Sequence, residues 1–102
     1  MSGDRELLEL AAKAVGRRIY YNYLGSQDCN RAWYPLENLA DALQLAVLLS
    51  MSVEISEYET STYAYAGAVP RIYACESWGD DKEAATCRAI VRAAAEIGRL
   101  LP

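Results

Sequence analysis

The side chains best suited to acid–base chemistry fall in two acidic groups, Glu54, Glu57 and Glu59 in one, Asp80, Asp81 and Glu83 in the other. Paired carboxylates can serve as general acid and base, or can hold a calcium ion. Histidine is absent. That removes the commonest general base, the Ser-His and Cys-His nucleophile pairs, and most transition-metal sites. Strand alternation sends Glu54 toward solvent, and the Asp80–Glu83 group is what a helix start requires of its cap and dipole. Gly25-Ser26 and Gly67 match no phosphate-cradling motif. The expectation is a non-enzyme with no catalytic group, no cofactor and no metal.

Aromatic residues offer a different chemistry. The chain has eight Tyr and two Trp but no Phe. A core that needed only aromatic bulk would use some Phe, because a buried Tyr must find a partner for its hydroxyl. Tyr without Phe points to half-exposed rings, and Tyr and Trp are enriched at contact surfaces. The candidate binding surface is Tyr20, Arg31, Trp33, Tyr34, Tyr63, Tyr65 and Trp78. Two other readings stay open. Strands with one open face accept Tyr simply because cross-strand aromatic pairs stabilise sheets. Alternatively Arg31, Trp33 and Trp78 wall a pocket for a small molecule or nucleotide. Base stacking on Tyr20, Tyr21 or Tyr23 beside Arg17, Arg18 and Arg31 would suit a single-strand binder, but the acidic balance opposes it.

The chain has 102 residues and a net charge of −4, with a pI near 4.7. That length predicts one domain, residues 1–102, with enough buried surface for a core. Duplex nucleic acid is excluded as a partner, because phosphate affinity needs clustered Lys and Arg. The first residues are charged from Asp4 onward and resemble no secretory leader, and the longest apolar run, 45–49, is too short to cross a membrane. A cytoplasmic location is expected. Cys75 and Cys87 read as small core residues, whereas Cys29 falls in a polar turn.

These groups need elements to position them. Apolar spacing predicts a first helix over 4–15, with Gly16 as its stop. Residues 18–24 read as one strand, paired through a six-residue connection with an extended piece at 31–34. A second helix begins at the Asn38 cap and runs to Leu49, with Leu39, Ala40, Leu43, Ala46 and Val47 as its core stripe. Leu45, Leu48 and Leu49 make its second half apolar nearly all round, which calls for deep burial or a second subunit. Residues 51–57 alternate cleanly, with Met51, Val53 and Ile55 inward. Strands at 60–66 and 71–75 follow. The last helix, 80–99, opens on a capping box of Asp80 and Glu83. The layout is α+β: three helices and a mostly antiparallel sheet of four or five strands.

Two blocks carry a family resemblance. One is Trp33-Tyr34-Pro35-Leu36 followed by Asp41-Ala42-Leu43-Gln44-Leu45-Ala46; the other is the Ala-rich helix from Ala84 to Gly98. With the opening Leu7–Ala14 stretch, they resemble the phage ABA-sandwich domain family of tailed phages and prophages. The resemblance implies a three-layer helix–sheet–helix sandwich in the cytoplasm of a host cell. It implies no activity and carries over no functional residue. The resulting expectation is a phage or prophage accessory protein, homodimeric, that binds a host or phage protein and modulates a host or defence protein.

Overall fold

A computed structural model of the chain describes residues 2–16, 18–20, 23–25, 30–66 and 72–101. Its central element is α3 (Lys82–Leu100). The Asp81 side chain caps this helix by accepting the Ala84 N–H at 2.9 Å, one residue later than the Asp80 cap expected. Glu83 in the first turn and Arg99 in the last complement the helix dipole. Arg92, Glu96 and Arg99 face water. Burial nevertheless extends beyond one stripe, taking in Ala85, Ala89, Ala93 and Ala95. These small side chains let neighbours approach from two sides. Helices pack on one side of α3 and a sheet on the other.

The first helix, α1 (Ser2–Ala14), runs parallel to α3. Asp4 pairs with Arg88 at 3.2 Å, Leu10 lies against Gly98, and the Lys13 ammonium donates to the Leu101 carbonyl at 3.0 Å. A Cβ built on Gly98 would sit 2.0 Å from the Leu10 carbonyl oxygen, so glycine here permits backbone-to-backbone packing.

The second helix, α2 (Leu39–Leu48), starts where expected: the Asn38 side chain accepts the Asp41 N–H at 3.1 Å. Its buried stripe differs. Ala42, Leu45 and Ala46 are buried, with Leu39 and Leu49 partly so, whereas Ala40, Leu43 and Val47 are exposed. A helix apolar nearly all round has no intrinsic inner face, and the face carrying Ala42 and Ala46 allows the closest approach to α3. Val47 is left 76% exposed and Leu48 55%.

Short strands β1 (Arg18–Tyr20), β2 (Tyr23–Gly25) and β3 (Asn30–Ala32) form one antiparallel sheet in that order. Tyr20 pairs with Tyr23, so the single strand expected over 18–24 is instead a hairpin. A second sheet has the order β4–β5–β6, with β4 (Ser52–Ser56), β5 (Ser61–Ala66) and β6 (Ile72–Ser77) antiparallel. The architecture is therefore α+β, with six described strands in two three-stranded sheets rather than four or five in one. Thr62, Ala64, Ala66 and Ala74 are buried on the face that meets α3. Met51 and Val53 are half-buried as their alternation suggests, but Ile55 is 51% exposed, because α3 covers β5 and β6 and β4 lies at the edge. Among the described residues, no helix is long and apolar enough to cross a membrane.

Candidate functional site

The face of β4–β6 opposite α3 gathers the tyrosines. Because Thr62, Ala64 and Ala66 point inward, Tyr63 and Tyr65 must point outward. Tyr65 is paired with Tyr73 across to β6, and Tyr63 lies between Glu54 on β4 and Cys75 on β6. The Tyr73 ring is the hub: its centroid is 5.9 Å from those of both Tyr63 and Tyr65, with interplanar angles of 40° and 35°. Such tilted pairs match the electron-rich face of one ring to the edge of the next.

Carboxylates hold two of these rings. The Tyr63 hydroxyl donates to Glu59 Oε1 at 2.7 Å, and the Tyr65 hydroxyl donates to Glu54 Oε1. The hydrogen bond to Glu59 is the main reason the Tyr63 phenol is pushed well above its ordinary value, with desolvation adding to it. Desolvation among the neighbouring rings pushes the Tyr73 phenol above its ordinary value, and Cys75 adds to the effect. Both phenols therefore keep their protons to a higher pH than a free tyrosine does. The result is a platform of neutral aromatic rings edged by two carboxylates, open enough that Tyr73 is 52% exposed. It offers π-faces and hydrogen-bond acceptors.

The other expected site residues are dispersed. Trp33 is only 3% exposed and belongs to the core under α1 and α3. Tyr34, at the surface, lines with Trp33 a cavity of about 340 Å³ whose other walls include Asp4, Arg5, Leu8, Leu36, Glu37 and Arg88. Trp78 is half-buried elsewhere, with the Lys82 ammonium 4.4 Å from the ring centroid. Trp33 and Trp78 line different cavities, with Arg88 in a wall of each, and thus do not share the pocket expected of them. Tyr20 and Arg31 have backbone positions in β1 and β3; their side chains, and Cys29, lie outside the described residues. Tyr73, Glu54 and Glu59 belong to the tyrosine face but not to the binding surface expected from sequence, where the two glutamates figure only as an acidic group. The alternation of Tyr73 with Ile72 and Ala74 was visible, but its neighbours depend on strand register.

A polar chain ties this sheet to α3. The Trp78 indole N–H donates to Thr62 Oγ1 at 3.0 Å, and Thr62 and Thr86 hydroxyls lie 2.9 Å apart. Thr86 donates its proton to the Lys82 carbonyl at 2.9 Å, so the Thr62 hydroxyl must be the donor to Thr86. All protons in the chain thus run one way. The acidic groups have other engagements: Glu57 pairs with Lys82 at 3.4 Å and Asp81 caps α3. Among the described residues, no three His, Cys, Asp or Glu side chains are placed to hold a metal ion. Burial pushes the Cys87 thiol up, which makes it a core side chain rather than a nucleophile.

Fold and site together define a small α+β protein with an open, acid-edged aromatic sheet face. Against protein-family models, curated proteins and solved structures, the chain has no match.

Proposed function

We propose that this chain is a non-enzymatic accessory protein of a phage or prophage that acts in the host cytoplasm by binding another protein, of host or phage origin, and modulating it. The single observation that carries the binding role is the cluster of Tyr63, Tyr65 and Tyr73 on one face of β4–β6, with Tyr73 half-exposed at its centre. Tyrosine supplies large contact area at low entropic cost, which suits an interface more than an unpartnered surface. The phage assignment rests on the Trp33–Ala46 and Ala84–Gly98 resemblance.

Homodimerisation is part of the same reading and is supported by α2. Apart from Asp41 in its first turn, α2 carries no charged residue, and Leu43, Val47 and Leu48 are exposed along it. Light scattering at micromolar concentration should give a dimer, and Val47→Glu a monomer. The three-layer helix–sheet–helix sandwich within this single chain, as the resemblance implies it, belongs to the same proposal; among the described residues α3 covers one face of β4–β6.

The test is a photo-crosslinking amino acid placed at Tyr73 in bacterial cells. A discrete adduct with one other protein supports contact at this face, and its absence when the same group is placed at Glu9 shows specificity. No adduct from Tyr73 refutes the reading. A second reading, a small-molecule or nucleotide module, is favoured by the cavity beside Trp33 and Tyr34, whose volume falls in the range of ligand sites. A thermal shift of the purified protein with nucleotides would support it.

A further inference from the structure

We propose, resting on the contact-surface reading above, that the partner segment received by the tyrosine face is basic, with an arginine side chain laid on the Tyr73 ring and its charge turned toward the Glu54 and Glu59 carboxylates. Three observations converge on this chemistry. The first is the aromatic cluster, whose π-faces attract cations. The second is the direction of the hydroxyl protons. Tyr63 and Tyr65 already donate to Glu59 and Glu54, so those two hydroxyl protons are committed and the carboxylates present acceptor lone pairs at this face. A donor-rich guanidinium complements that surface, whereas a phosphate or carboxylate would meet like charge.

The third observation is where the cations of the protein itself go. None of the described face positions on β4–β6 is Lys or Arg. Lys82 is engaged with Glu57 and Trp78, Arg88 with Asp4, and Arg92 with Glu76 on the α3 side of the sheet. An apolar segment fits poorly, because covering Glu54 and Glu59 without a countercharge removes their hydration for nothing in return. Arginine fits better than lysine, since its plane stacks on a ring while its fork reaches a carboxylate.

The experiment uses the full chain with ring-labelled tyrosine, titrated by NMR with a short peptide alternating arginine and glycine. Its control is the same peptide with citrulline, which keeps the shape of arginine and removes the charge. The expected result is a saturable shift of the Tyr63 and Tyr73 ring signals with the arginine peptide alone, weakened by salt. Tyr73→Leu and Glu59→Gln should each weaken binding by about two- to fivefold. Glu54→Gln, at an exposed edge-strand position, gives the same reading should either of those variants unfold. Equal binding of the citrulline peptide, no binding of either, or unchanged affinity in the carboxamide variants would overturn the proposal. Should it fail while the Tyr73 crosslink to a protein persists, the cation specificity falls and the contact surface stands; loss of that crosslink removes both.

Discussion

Gly98→Ala sets two effects of opposite sign against each other inside α3. Helix propensity alone favours alanine over glycine by about 1 kcal/mol. Against this, the new Cβ would lie 2.0 Å from the Leu10 oxygen, 2.8 Å from its carbonyl carbon and 3.3 Å from its Cα. All three are backbone atoms of α1, so no side-chain rotation relieves the clash. Reaching 3.0 Å, below which real Cβ contacts essentially never fall, requires the oxygen to recede by at least 1 Å. A gap of about 1 Å forfeits roughly a quarter to a half of the dispersion attraction between the atoms it separates. The seam in question buries Ala11, Ala12, Ala94 and Ala95 almost completely. Overpacking of this kind costs about 1–3 kcal/mol, which cancels the propensity gain at its lower end and exceeds it at its upper. We expect a net loss of up to about 2 kcal/mol, each kcal/mol lowering Tm by roughly 4–8 °C. Thermal and urea unfolding followed by circular dichroism measure it. Gly3→Ala is the control, because a Cβ there has nothing within 4 Å and α1 should gain or hold stability. A Gly98→Ala variant that melts above the parent, as propensity alone requires, would refute the close α1–α3 contact.

Three further outcomes follow from other parts of the fold. Thr62→Val strands the Trp78 N–H and interrupts the chain to Thr86; we expect a loss of about 1–3 kcal/mol and altered Trp78 fluorescence, read in the same unfolding curves. Asp81→Ala should cost about 1 kcal/mol through the lost α3 cap, whereas Asp80→Ala should cost far less; the reverse order would restore the cap expected from sequence. At high pH the native state keeps the Tyr63 and Tyr73 protons after the unfolded chain has lost its own, near pH 10. This contribution is complete below that pH and is lost as pH rises through the native values, so urea midpoints should fall above about pH 10, and less so in Tyr63→Phe.

Much of the local structure was legible residue by residue. Asn38 caps α2 as its type and position announce, and α3 starts within one residue of its expected cap. The alternation that turns Tyr63 and Tyr65 to one face was equally plain. The stretch 18–24 reads as one strand because its residues are β-prone throughout, whereas Tyr20 of β1 pairs with Tyr23 of β2. Leu43 and Val47 were misplaced because α2 is apolar on nearly every side, so its periodicity names no inner face.

Periodicity, capping and residue chemistry involve neighbours in the chain, which is why the helices, most strands and the want of histidine chemistry could be read directly. Contacts between distant segments were decided only when the chain packed. The meeting of Tyr73 with Tyr63 and Tyr65 depends on the β5–β6 register, and the need for glycine at position 98 depends on how closely α1 approaches. Those distances minimise the free energy of all the packed elements together, and no local window of residues contains that sum.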